Sequence, residues 1–203
     1  MGDVVFIAAA DCTGHGVPGA MVSMVCSNAL NRTVNEFGIT KTGKILDNVR
    51  ELVLEAFKKS GEEIKDGMDI SLLAINFSKV SNFGKVEVQW SGANNSLLYF
   101  HDNELQEIKA DKQPIGKYDY AKPFTTHNLE LNSAASFYLF TDGYADQIGT
   151  NGKKLMKKKF KEELLKIHHQ PMAEQKEILA TAFDHWKGNL EQVDDVCVIG
   201  IRI

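Results

Sequence analysis

Cysteine is scarce, with Cys12, Cys26 and Cys197 the only three in 203 residues. They are too few and too scattered for a disulfide framework or a zinc site. Basic charge is not in excess: 23 Lys and Arg stand against 27 Asp and Glu, a formal net charge of −4. A chain that neutralises nucleic-acid phosphates normally carries the opposite balance. The apolar runs are strand-length, far short of a membrane span. Met1-Gly2-Asp3 leads straight into a strand pattern, without the basic start of a signal peptide. Repeats, low-complexity tracts and Pro/Gly/Ser-rich linkers are also missing. These absences predict one reduced, cytoplasmic globular domain over residues 1–203, with no nucleic-acid partner and no membrane contact. That length buries a core without staples.

Residues 4–10 (VVFIAAA) form a continuous apolar run of strand length, the pattern of a strand buried on both faces. The run ends in Asp11-Cys12-Thr13-Gly14-His15-Gly16, a polar turn with two glycines. Val17, Ala20, Met21, Met24, Val25 and Ala29 then recur at helical spacing. Ile45, Leu46, Val49, Leu52, Val53, Ala56 and Phe57 mark a second amphipathic helix. Short strands are predicted over 70–77, 86–90, 96–100, 105–109, 124–131 and 137–141, with turn dipeptides such as Asn94-Asn95 and Asp102-Asn103 between them. Two helices follow, lined by Met156, Phe160, Leu164 and Ile167 and by Ile178, Leu179, Ala182, Phe183 and Trp186; a last strand covers 196–203. The order is strand, two helices, a run of strands, two helices, strand. Strict βαβ alternation is absent, so the pattern predicts an α+β sandwich.

Three places put an aspartate at the end of an apolar strand. Asp11 follows VVFIAAA, Asp142 follows FYLFT and precedes Gly143, and Asp194-Asp195 precedes VCVIGI. Such carboxylates are costly unless paired, solvated or bound to a cation. Three ends meeting at one rim would form an oxygen cage whose mutual repulsion raises pKa values until a cation arrives. Hard oxygen donors without Cys or His select Mg²⁺ or Mn²⁺ over zinc. Taken singly, each of these residues also reads as an ordinary turn or cap aspartate.

The stretch Ala10-Asp11-Cys12-Thr13-Gly14-His15-Gly16-Val17-Pro18-Gly19-Ala20, with Thr141-Asp142-Gly143 and Val193-Asp194-Asp195-Val196, resembles the metal-dependent protein phosphatases of the bacterial sporulation-stage-II-protein-E type, relatives of protein phosphatase 2C. Asp66-Gly67-Met68-Asp69, Gly92-Ala93-Asn94-Asn95 and Pro114-Ile115-Gly116 add to the set, in family order along essentially the whole chain. The resemblance implies an αββα sandwich of two mainly antiparallel sheets flanked by helices, with two Mn²⁺ or Mg²⁺ ions at one end. It gives Asp11 the bridging role, helped by the backbone carbonyl of Cys12, and makes Asp142 and Asp194 ligands. Asp195 is then an alternate ligand or stands behind the others. His15 is a proton donor or, more commonly, a plain turn histidine. Asp66 or Asp69 would hold a weaker third ion, unless each is a loop aspartate before a strand. The implied reaction is hydrolysis of phosphoserine or phosphothreonine on a regulatory protein, typically an anti-sigma-factor antagonist, by in-line attack of an activated water.

The family also places a Gly-Asp pair on an additional strand before this first one. Gly2-Asp3 lies only eight residues before Asp11, about 26 Å away along an extended strand. Asp3 is therefore expected to be a turn residue. The expectation is a catalytic fragment that lacks its first strand and an upstream sensor domain and binds metal more weakly. Rival chemistries fare worse. Cys12 lacks the arginine of a cysteine-phosphatase loop, because Pro18 stands in its place, and Cys26 to Arg32 falls in a helix without glycine. No P-loop motif exists. His168, His169 and His185 have no partners at ligand spacing. A non-catalytic reading stays open: a phosphatase fold that binds a phosphoprotein or self-associates as a homodimer through its first two helices. Lys153, Lys154, Lys157, Lys158, Lys159 and Lys161 form a basic run that is either a solvated helix face or a docking patch for an acidic or phosphorylated partner.

Overall fold

The computed structural model describes residues 4–58, 66–79, 85–132 and 135–203. Gly2 and Asp3 lie outside them. Eight strands form two four-stranded antiparallel sheets. The first runs β1 (Val4–Cys12), β2 (Met68–Asn76), β3 (Lys85–Ala93), β6 (His127–Asn132); the second runs β5 (Glu104–Ile108), β4 (Leu97–His101), β7 (Ser136–Phe140), β8 (Val198–Arg202). Helices α1 (Gly16–Asn31) and α2 (Thr42–Lys58) cover the outer face of the first sheet, and α4 (Met156–Ile167) and α5 (Met172–Lys187) that of the second. This is the αββα sandwich that the motifs imply.

Side-chain alternation along the central strands builds three layers of core. In β2, Ile70 and Leu72 point to α1 and α2, while Leu73 and Ile75 enter the space between the sheets. In β7, Phe137 and Leu139 enter that same space, while Tyr138 and Phe140 pack under α4 and α5. Both strands have apolar residues on both faces, as their central places in the sheets require. Two large polar side chains carried into the core are partnered: the Trp90 indole N–H donates to Ser71 Oγ at 2.9 Å, and the Tyr138 hydroxyl donates to Gln175 Oε1 at 2.7 Å.

The first strand departs from its sequence reading. β1 pairs with β2 alone and forms a sheet edge, with Val5 44% exposed. It also continues through Asp11 and Cys12, so Asp11 is a ladder residue directly opposite Asp69. A continuous apolar run has the same signature at an edge as in a centre when the second sheet and a helix cover its faces. Strand β6 begins at His127, not at 124, because the Thr125 N–H is tied to Asp111 Oδ2 at 2.8 Å and Phe124 lies beneath the Arg50 guanidinium at 4.9 Å. Helix α5 starts at Met172, a turn and a half before the apolar pattern shows it. Its first turn buries the polar Gln175, whose Nε2 donates to the carbonyls of His168 and Gln170.

Candidate metal centre

Three strand ends meet at one rim of the sandwich. Asp11 comes from the end of β1, and Asp142, two residues past the end of β7, leads into the single turn α3 (Gly143–Asp146). Asp194 lies in the extended segment before β8. One carboxylate oxygen from each lies within 4.8 Å of the others, and among the described residues no other group of three His, Cys, Asp or Glu is so placed. Asp11 and Asp142 are half-buried; Asp194 is exposed.

Local hydrogen bonds explain why these ends stay together. Thr141 clamps β7 to the incoming segment: its N–H donates to the Cys197 carbonyl at 3.0 Å, and its hydroxyl donates to the Asp195 carbonyl at 3.1 Å while accepting from the Cys197 N–H at 3.0 Å. Asp194 Oδ1 accepts the Asp195 N–H at 2.8 Å. Gly143 is required by close approach, since a Cβ there would fall 2.3 Å from the Asp195 carbonyl oxygen. Any larger residue would push Asp142 away from Asp194. On the other side, the Thr13 hydroxyl donates to Asp66 Oδ1 at 2.9 Å and accepts from the Gly67 N–H at 3.1 Å, which anchors the turn after Asp11. Gly14 reverses the chain there with φ +90°, a conformation that L side chains resist.

Electrostatics favour a cation. Burial, followed by the charges of Asp194, Asp142, Asp69 and Asp195, pushes the Asp11 carboxyl up to about 6. Asp69 is raised as well, by burial first and by the Asp142 charge, against a lowering hydrogen bond from Asn94 Nδ2 at 2.8 Å. A charged site surrounded by like charges is relieved by a bound cation, and an all-oxygen donor set suits Mg²⁺ or Mn²⁺. The residues present fit such ions.

The other sequence candidates are placed as follows. Asp195 lies beside the cluster but outside the group of three. Asp66 is engaged with Thr13 and Asp69 with Asn94. His15 is an exposed residue flanking the start of α1, with no side-chain capping bond, and it borders a cavity of about 520 Å³ that reaches Asp11 and Cys12. The lysine run does not form one uniform face. Lys154 pairs with Asp146 at 2.6 Å, Lys161 with Glu107 at 2.8 Å and Lys158 with Glu162 at 4.0 Å, while Lys159 lies 3.8 Å above the Trp186 ring and Lys157 5.9 Å above Phe140. Two positioning residues have no assigned part in the sequence reading. Asn94 orients Asp69 from a left-handed turn position at φ 57°, for which the Asn94-Asn95 dipeptide is the available signal. Thr141 makes the clamp, and its signals are its place in the Thr141-Asp142-Gly143 motif and a hydroxyl at a strand end.

The stage II sporulation protein E family profile matches residues 2–203. No curated protein sequence matches significantly. Among solved structures, the SiaA-PP2C domain of Pseudomonas aeruginosa is 25% identical, with a TM-score of 0.82 over 100% of this chain and 81% of that one. The PP2C phosphatase domain with a regulatory-domain fragment of SpoIIE from Bacillus subtilis is 14% identical, with a TM-score of 0.72 over 98% and 55%. The catalytic domain of the serine/threonine protein phosphatase PstP, solved with two manganese ions, is 18% identical, with a TM-score of 0.62 over 98% and 90%. The profile match spans nearly the entire sequence, and so the chain belongs to the stage II sporulation protein E family.

Proposed function

We propose that this chain is an Mn²⁺- or Mg²⁺-dependent protein serine/threonine phosphatase acting on a phosphorylated regulatory protein. The convergence of Asp11, Asp142 and Asp194 within 4.8 Å carries the reading, and the SiaA and PstP likenesses support it. A pair of bound ions would supply Lewis acidity toward the phosphoryl oxygens and a lowered pKa for the attacking water. Asp11, with the Cys12 carbonyl, would hold both ions, and Asp142 and Asp194 would ligate one of the two. Thr141 and Gly143 fix the spacing of the last two. Asp195 is an alternate ligand in this proposal, and Asp69, held by Asn94, or Asp66, held by Thr13, would serve a weaker third ion. The anti-sigma-factor antagonist remains the expected substrate class, and an upstream sensor in a longer chain the expected source of control.

Two assays test this. Hydrolysis of a phosphoserine protein and of p-nitrophenyl phosphate should both depend on Mn²⁺ and stop with a chelator. Metal-independent turnover of either would sink the reading; absence of turnover with intact metal binding would favour the non-catalytic binder. Lys153, Lys157 and Lys158 are exposed, whereas Lys154 and Lys161 have close ion-pair partners. Replacing these three by Gln should raise KM for the phosphoprotein and leave p-nitrophenyl phosphate turnover unchanged. Equal losses on both substrates would assign the run a structural role. Pairing with a second copy belongs to the same proposal, through Val17, Met21 and Met24 of α1, which are 75%, 63% and 73% exposed. Sedimentation as a monomer at high concentration would remove it.

A further inference from the structure

The fold gathers what the sequence scatters. All three cysteines border the cavity beside the acidic cluster: Cys12 at the end of β1, Cys26 on α1 and Cys197 just before β8. Cys12 packs against the core cluster that contains Cys26, and both line the same cavity. They differ in access. Cys12 is half-buried on the cavity wall, whereas Cys26 is 1% exposed behind it. A cavity-lining thiol with a second one packed behind it is the arrangement in which one sulfur is oxidised and the other resolves it.

We propose that Cys12 and Cys26 form a reversible disulfide under peroxide, and that this cross-link switches off metal binding at the neighbouring aspartates. In the first step the Cys12 sulfur attacks one peroxide oxygen. An S–O bond forms, the O–O bond breaks, and one water leaves with the thiol proton. In the second step the Cys26 sulfur attacks the Cys12 sulfur. The S–S bond forms, the S–O bond breaks, and the second water carries off the Cys26 proton. The two thiols lose two electrons, and hydrogen peroxide, reduced to two waters, takes them.

The consequence follows from position. A disulfide holds its sulfurs about 2.05 Å apart, well inside non-bonded contact, so the end of β1 must move toward α1. Cys12 is the residue after Asp11, and its own carbonyl is a proposed ligand. Coordination distances tolerate only about ±0.2 Å, so a displaced strand end loses the ions. Such a bond suits a reduced compartment, where disulfides are transient and regulatory and do not serve as staples. The cross-link stands on the packing of Cys12 against the cluster that holds Cys26 and on the cavity both line; its effect on metal rests on the assignment of Asp11 and Cys12 above.

The test begins with the intact chain treated with hydrogen peroxide, digested with trypsin without reduction, and weighed. Residues 1–32 contain no Lys or Arg before Arg32, so both cysteines fall in one tryptic peptide. The expected product is that peptide lighter by two hydrogens and restored by dithiothreitol. A link from Cys12 to Cys197, an intermolecular dimer, or a Cys12 sulfinic acid would each overturn the pair. In parallel, Mn²⁺ is titrated against melting temperature. The shift should vanish in the oxidised wild type and persist in peroxide-treated Cys26→Ala. A full shift in the cross-linked protein overturns the switch. No shift in the reduced wild type overturns the metal-centre reading and the switch with it, while the peptide mass still decides the cross-link.

Discussion

Asp142→Asn should lower Mn²⁺-dependent phosphatase activity by well over about 100-fold, the upper range for losing a mere supporting partner of a metal ligand, and leave the fold intact. The substitution keeps the size of the side chain and removes one charged donor from the group of three. The clamp at Thr141 is built from its own hydroxyl and from backbone groups of Asp195 and Cys197, so it survives. Gly143 still admits the Asp195 carbonyl. Circular dichroism and the melting temperature without metal should therefore stay close to wild type, while turnover of p-nitrophenyl phosphate and of phosphoprotein fall together. A parallel fall is the signature of lost chemistry rather than lost docking. Near wild-type turnover by this variant would remove Asp142 from the ligand set.

Asp11→Asn should have opposite effects with and without metal. The Asp11 carboxyl is pushed from 3.8 up to about 6 by burial and then by its acidic neighbours. A group whose folded pKa is raised makes the folded state bind more protons than the unfolded state between those two values, so stability falls as pH rises through that window. Metal-free wild type should thus lose stability between about pH 4 and about pH 6, and the neutral Asn should escape that loss. With chelator present, the variant should melt above wild type at about pH 7.5, and the gap should shrink toward about pH 4. With Mn²⁺ present the order should invert, because the variant lacks the carboxylate proposed to hold both ions. Protons and metal compete for the same oxygens, so Mn²⁺ affinity of wild type should drop as pH falls through about 6. A variant that melts below wild type without metal at every pH would show that Asp11 is held by interactions other than its repulsive neighbours.

The layered architecture is legible because the central strands alternate strictly between two apolar environments. Ile70 and Leu72 against Leu73 and Ile75 leave little choice of face. Burial is not legible from composition alone: VVFIAAA reads as buried on both faces, yet among the described residues it pairs on one side only and most of it is only half-buried. The acidic turns stand out because a carboxylate at the end of an apolar run needs a reason. What holds them is quieter. Asp69 becomes part of the cluster's electrostatics only through its register opposite Asp11, and Asn94 only through a left-handed turn. Neither relation is local in sequence. The Cys12–Cys26 pairing is hidden for the same reason, since a strand end and a helix face meet only after packing. In the lysine run the sequence shows only a dense charge pattern, while the ion pairs and ring contacts that engage several of its members appear only in the fold.

The central claim is that the three aspartates form a divalent-cation centre, and calorimetric titration of Mn²⁺ into the reduced protein near neutral pH tests it most directly. Saturable binding should appear in wild type, weaken sharply in Asp142→Asn, and vanish when Asp11, Asp142 and Asp194 are all replaced by Asn. Unchanged Mn²⁺ binding by the triple variant, with its fold preserved, would contradict the account.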